Sequence, residues 1–253
     1  MRAPGGTWRY RRDVRWDDVD AVLFDLDGVL TPTAAVHMRA WERMFTQYFA
    51  EHGITPPYTD ADYFAHVDGK PRYDGVRATL ASRGVVLPEG APSDPPGTHT
   101  VCGLGNAKNA LVNQLLAEEG VEPYPGSVRL VDELERRRVP TAVVSSSRNA
   151  PAVLEAAGLG HRFAVIVDGA VATAEHLAGK PAPDTFLHAA RLLGVAPERA
   201  AVVEDAVSGV AAGRAGGFGL VVGVDRGAGP DVLLAAGADV VVHDLAELLR
   251  EDR

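Results

Sequence analysis

The chain has 253 residues, 46% of them apolar, a formal charge of −9 and a single cysteine, Cys102. This is enough apolar material for one large domain or for a large one with a smaller attachment, and it excludes a disulfide framework, so Cys102 reads as a buried or loop thiol. The acidic balance argues against a nucleic-acid surface, no run is long enough to span a membrane, and MRAPGGTWRYRR at the N-terminus lacks the apolar stretch of a signal peptide, which points to the cytoplasm.

Residues 1–17 read as an N-terminal extension whose one basic stretch, RYRRDVR, is short and mixed enough to be a solvated tail. A first strand is expected over Val19–Phe24. It runs into FDLDG, where Asp25 and Asp27 stand two positions apart immediately before Gly28. Ionised carboxylates at the end of a buried strand are costly unless a metal ion, a cationic side chain or backbone N–H donors compensate them. From Ala34 to Glu119 helical patterns take over, interrupted by a proline- and glycine-rich loop over residues 88–97. Residues 34–119 therefore read as a helical cap inserted after the first strand, with 1–33 and 120–253 as the core. The first helix, about Ala34–Glu51, begins just beyond the aspartates, so the insertion should stand over the carboxyl edge of the sheet as a lid.

Further strands are expected at Val139–Val144, Phe163–Val167, Ala200–Val203, Leu220–Val224 and Val240–Val242, alternating with helical patterns. That alternation is the signature of an α/β fold with a parallel sheet. Ser145-Ser146-Ser147 follows the second strand and Glu204-Asp205 the fourth, so the polar residues gather at carboxyl strand ends, where open α/β sheets bind ligands. A strand-end aspartate followed two residues later by another suits phosphoryl transfer: one carboxylate attacks phosphorus and the other handles the hydroxyl proton. Asp25, Asp27, Glu204 and Asp205 offer hard oxygens to Mg²⁺, although Glu204-Asp205 can equally cap a helix beginning at Ala206. Lys180, in GKPAPD, can neutralise phosphoryl oxygens; at an effective dielectric near 20, a cation about 4 Å from a negative charge is worth roughly 4 kcal/mol. Ser145 adds a neutral donor.

Taken together, FDLDG, VSSSRN, GKPAPD and VEDAVSGVAAGRAG resemble the haloacid dehalogenase-like phosphatase superfamily, and the similarity runs from about Asp20 to Val242. The resemblance implies a Rossmann-like core with a helical cap and an aspartyl-phosphate intermediate on Asp25. Within the superfamily the chain is most similar to the β-phosphoglucomutase-like subfamily, whose reaction interconverts β-glucose 1-phosphate and glucose 6-phosphate through a bisphosphate. The segment Thr31–Trp41 is similar to that subfamily's hinge and first cap helix, which puts His37 where it can move a proton near Asp27 or simply pack beside Trp41. By the same resemblance Gly69, Lys70 and Arg72 fall where the cap contacts the sugar phosphate, Lys108 falls on the cap lysine, and Ser147, Arg148 and Asn149 fall on the distal phosphate site. A mutase needs such a second anion site, and the planar fork of arginine fits phosphate bidentately. Two positions depart from the pattern: the subfamily carries a lysine where Asp68 stands and an acidic residue where Pro32 stands. The expectation is a monomer acting on a small phosphorylated sugar, with a sugar-phosphate phosphatase on the same core as the alternative.

Overall fold

The computed structural model describes residues 16–249, so the basic stretch RYRRDVR lies outside the described residues. Six strands, β1 (Ala21–Phe24), β2 (Thr141–Val144), β3 (Val165–Val167), β4 (Ala200–Glu204), β5 (Leu220–Val224) and β6 (Val240–Val242), form one parallel sheet in the order β3-β2-β1-β4-β5-β6. Each expected apolar run is a strand. The first three begin later than the pattern suggests; in the first two, Val19 and Val139 still close turns onto the carbonyls of Trp16 and Leu134.

After β1 the chain passes through α1 (Thr33–His52), α2 (Asp60–Asp62), a π-turn over Tyr63–Val67, α3 (Arg72–Ala81) and α4 (Val101–Glu119). It returns through α5 (Pro125–Arg136) to β2, and continues through α6 (Ala150–Ala156), α7 (Gly169–Ala174), α8 (Asp184–Leu193), α9 (Val207–Ala215) and α10 (Pro230–Ala236). The strands read as near-continuous apolar runs because both faces of the sheet are covered. Val22 and Phe24 pack with Leu130 and Leu134 of α5 and with Leu154 of α6. Ala21 and Leu23 point the other way and pack with Phe186 of α8 and Val210 of α9. This period of two follows from the pleat, which sends successive side chains to opposite faces.

The α1–α4 segment, residues 33–119, has its own apolar cluster, which explains how so long an insertion can leave the sheet and stay ordered. Trp41, Phe45 and Phe49 recur at a spacing of four, on one face of α1, and meet Tyr58, Val76, Leu80 and Leu104. Phe45 lies at the centre, with ring centroids 5.4 Å from Trp41, 5.4 Å from Phe49 and 5.1 Å from Tyr58. At the start of α4, Thr100 Oγ1 accepts the Gly103 N–H at 2.9 Å and so satisfies one of the orphan donors of the first turn. Among the described residues no helix is long and apolar enough to cross a membrane.

Strand order places β1 in the middle of the sheet, with the direction of winding reversing between β1 and β4. A crevice opens at such a switch point, outside the carboxyl ends of the strands. Asp25 and Glu204-Asp205 stand at its two sides. The cluster under α1 also yields a stability test. Phe45→Ala removes a fully buried ring and its aromatic contacts, and should cost about 3–5 kcal/mol. The expected result in denaturant unfolding is a lower midpoint at unchanged slope; a loss below about 1 kcal/mol would contradict the packing described.

Candidate active site

Asp25 leaves β1 with its N–H bonded to the Val203 carbonyl of β4 at 2.9 Å, which fixes its backbone to the neighbouring strand. Its Oδ1 accepts from Lys180 Nζ at 2.5 Å. The remaining ammonium protons go to Glu204 Oε1 at 2.6 Å and the Val144 carbonyl at 3.1 Å, so all three donors of Lys180 are used. Burial draws the Lys180 pKa down, but the Asp25 and Glu204 charges outweigh it and the net shift is upward. The ammonium stays charged. Glu204, expected among the metal ligands, has both oxygens engaged: Oε1 on Lys180, and Oε2 on the Ala206 N–H at 2.8 Å. It holds the lysine and the turn into α9. Its neighbour Asp205 packs against Gly28, where φ is +87° and a Cβ would lie 1.9 Å from Asp205 Oδ2. Only glycine fits there.

The turn that carries Asp27 is held by its backbone. Three successive carbonyls are capped from elsewhere: Gly28 by Arg226 Nε at 2.7 Å, Val29 by Ser127 Oγ at 2.6 Å and Leu30 by the Tyr124 N–H at 2.9 Å. The Arg226 guanidinium also lies 3.9 Å from the centre of the Tyr124 ring. None of Arg226, Ser127 and Tyr124 is signalled by the sequence around the aspartates. Thr33, the first residue of α1, donates from Oγ1 to Asp27 Oδ1 at 2.5 Å, which links the aspartate to the helical layer.

The opposite wall of the cleft comes from the helices. His37 and Trp41 of α1, Gly69 and Lys70 of the preceding loop, Arg72 of α3 and Lys108 of α4 line the same cavity as Asp25, Asp27 and Asp205. Lys108 Nζ lies 2.9 Å from His37 Nδ1 and 4.9 Å from the centre of the Trp41 ring. An ammonium can only donate, so His37 Nδ1 accepts and its proton sits on Nε2, which faces Asp27 Oδ1 at 3.7 Å. His37 and Trp41, one turn apart on α1, thus line the cleft together, with His37 facing Asp27. Burial and then the Lys108 charge bring the His37 pKa down to about 4; burial brings Lys108 down to about 7 against the attraction of Asp27. Burial pushes Asp25 and Asp205 up, with Glu204 adding to both. Asp68 is pushed up to about 7 by burial and then by Glu204.

Several expected residues are engaged elsewhere. Ser145 Oγ is buried and accepts the Ser147 N–H at 3.1 Å, while Ser146 and Ser147 line the cleft. Arg148 donates to Thr173 Oγ1 of α7 at 2.9 Å. Asn149 Nδ2 reaches α4, donating to Asn109 Oδ1 at 3.1 Å and Asn113 Oδ1 at 3.0 Å. Cys102 is buried in α4. As to a cation, the carboxylates of Asp25, Asp27 and Asp205 fit Mg²⁺ in donor chemistry, and burial, the first cause of the upward shifts of Asp25 and Asp205, disfavours their charged forms without one. Among the described residues no three His, Cys, Asp or Glu side chains are gathered closely enough to hold a metal ion as they stand, so the fit is one of donor chemistry rather than of a preformed sphere.

Comparison with known proteins agrees with this geometry. A family model for haloacid dehalogenase-like hydrolase matches residues 19–217. A curated β-phosphoglucomutase of Mycobacterium bovis is 50% identical over 242 residues, covering 92% of each chain. Hexitol phosphatase A of Escherichia coli is 30% identical over 228 residues, covering 89% of this chain and 91% of that one. Among solved structures, a β-phosphoglucomutase from Clostridium difficile superposes with a TM-score of 0.72 at 24% identity, covering 91% of this chain and 93% of that one, and so shares the fold.

Two outcomes follow from the buried charges. Lys180→Ala leaves Asp25 and Glu204 facing each other without a cation and should destabilise the fold by about 3–5 kcal/mol, whereas Asp25→Asn keeps the Lys180–Glu204 pair and should cost far less; equal losses in chemical denaturation would contradict the arrangement. Lys108 should make stability depend on pH. Unfolded, it keeps its proton up to its ordinary value of 10.5, whereas folded it releases it near 7. Between these values the unfolded chain binds more protons, so stability from this group rises with pH, and the cost of the buried charge is carried in full below about 7. Lys108→Met should flatten that rise in unfolding curves taken from neutral to mildly alkaline pH.

Proposed function

The chain belongs to the haloacid dehalogenase-like hydrolase family, and on that premise we propose that it is a β-phosphoglucomutase, interconverting β-glucose 1-phosphate and glucose 6-phosphate through phosphoryl transfer at Asp25. The observation that carries this reading is the opposition of the two cleft walls: carboxylates on the sheet side, with His37, Lys70, Arg72 and Lys108 on the helical side. One phosphate reacts at Asp25. A second, on the same sugar, meets the cationic wall, which is what separates a mutase from an enzyme that only releases phosphate.

In the forward half-reaction an Asp25 oxygen forms a bond to phosphorus as the phosphorus–sugar oxygen bond breaks, and Asp27 gives the leaving oxygen its proton. In the return half, Asp27 takes the proton of the other sugar hydroxyl as that oxygen attacks the aspartyl phosphate. Thr33 orients Asp27 through its hydrogen bond to Oδ1, and His37 presents Nε2–H toward the same oxygen. Lys180 holds Asp25 in place and screens it from Glu204. Mg²⁺, held by Asp25, Asp27 and Asp205, would supply charge neutralisation between carboxylate and phosphate. Residues 34–119 act as the cap that excludes water, the competing acceptor. Arg72 grips the distal phosphate from the cap, together with Ser147; Arg148 and Asn149 join it by giving up their bonds to Thr173, Asn109 and Asn113.

A phosphatase on the same core is the second reading, favoured by the hexitol phosphatase among the relatives. ³¹P NMR with Mg²⁺, β-glucose 1-phosphate and catalytic bisphosphate separates the two. Conversion to the 6-phosphate is expected; release of inorganic phosphate alone would establish the phosphatase. Arg72→Ala should lower kcat/KM for isomerisation by about 10²–10³-fold, in the range seen when a preorganised donor is removed. Labelling of Asp25 by acetyl phosphate should persist in that variant and vanish on chelation of Mg²⁺.

A further inference from the structure

The loop before α3 rests on the core through its backbone. Ser146 Oγ, from the turn after β2, donates to the Gly69 carbonyl at 2.8 Å; Ser208 Oγ, in the first turn of α9 after β4, donates to the Asp68 carbonyl at 2.9 Å. These two turns flank β1 on either side, so the loop is strapped across the cleft directly over the end of the strand that bears Asp25. The contact is close. Gly69 has φ of +68°, and a Cβ there would fall 2.3 Å from Ser208 Oγ and 2.9 Å from Ala206 Cβ. Pro71 packs against Gly179 of the lysine turn, where a Cβ would meet Pro71 Cγ at 2.4 Å.

We propose that Ser208 and Ser146 are positioning residues whose hydroxyls latch the Asp68-Gly69 segment shut, and thereby decide whether the phosphoryl group on Asp25 goes to a sugar hydroxyl or to water. Both acceptors do the same chemistry: the bond between phosphorus and the Asp25 oxygen breaks, a new bond to the acceptor oxygen forms, and the acceptor proton goes to Asp27. The sugar is held by the cap, whereas water enters whenever the cap lifts, so the outcome follows the fraction of time the latch is closed. Because the hydroxyls bind backbone carbonyls, the latch is indifferent to the side chain at position 68, which is where this chain departs from its subfamily. Two neutral hydrogen bonds contribute little each, so the latch can hold without preventing release. The proposal rests on Asp25 being the phosphoryl carrier, as argued above.

The test compares wild type with Ser208→Ala, whose hydroxyl is outside the cleft lining, and with Ser208→Thr, which restores the hydroxyl. Each protein is supplied with Mg²⁺, catalytic glucose bisphosphate and β-glucose 1-phosphate, and the ratio of phosphate released to sugar isomerised is measured. The ratio is expected to rise about three- to tenfold in Ser208→Ala, the effect of one lost hydrogen bond on the closed fraction. It should rise further on adding Ser146→Ala and return toward wild type in Ser208→Thr. Asp25 labelling by acetyl phosphate checks the premise separately. If wild type labels but Ser208→Ala leaves the ratio unchanged, or lowers both rates together without rescue by threonine, the latch is overturned and the functional reading stands. If wild type does not label, both fall.

Discussion

Lys180 is the ion around which the cleft is arranged. Its three protons go to Asp25 after β1, to the Val144 carbonyl that ends β2 and to Glu204 that ends β4, three adjacent strands of the sheet. Strands lie about 4.8 Å apart, so one ammonium group can reach all three ends at once. A buried lone ammonium or carboxylate carries a penalty of several kcal/mol, and here each charge is offset only by the others. Asp25, the lysine and the start of α9 therefore share one geometry, and displacing any of them exposes the rest to an unpaired buried charge.

Rigidity is distributed unevenly around that ion. The turn bearing Asp27 is held by three successive carbonyl bonds to the core and by a guanidinium stacked on Tyr124, contacts that involve ring packing and a charged donor. Apart from Thr33 and His37 on the Asp27 carboxylate, the helical layer meets the core across the cleft through neutral groups: two serine hydroxyls, and the Asn149 amide on Asn109 and Asn113. Neutral bonds exposed at one side exchange with water at small cost. The groups at the strand ends are therefore fixed more firmly than the contacts between the helical layer and the sheet.

Charge is likewise divided between the walls. Asp25 and Asp205 on the sheet side are pushed toward protonation by burial and by neighbouring carboxylates, and Lys108 on the helical side is pushed toward losing its proton by burial. Each wall by itself is electrostatically unfavourable. A cation beside the carboxylates and an anion beside Lys108 would each favour the charged form of the groups they face.

What the sequence by itself determined is local. Apolar runs of three to six residues marked the six strands, the helical pattern marked the insertion, and carboxylates and serines at strand ends, with a lysine in a glycine-proline turn, marked the cleft, because a parallel sheet buried on both faces leaves its polar residues only at its edges. Family likeness added His37, Arg72 and Lys108, which no periodicity distinguishes from packed or solvated residues. Only the tertiary structure decided how those groups are paired. Glu204 sits beside Asp205 in sequence, yet its oxygens belong to Lys180 and the Ala206 N–H, while Asp205 faces Gly28. Arg226 is held to Gly28, 198 positions away, and Ser208 to Asp68, 140 positions away. Such contacts join a side chain to a backbone carbonyl, a partner that every residue possesses, so nothing in the identity of the partner residue announces them.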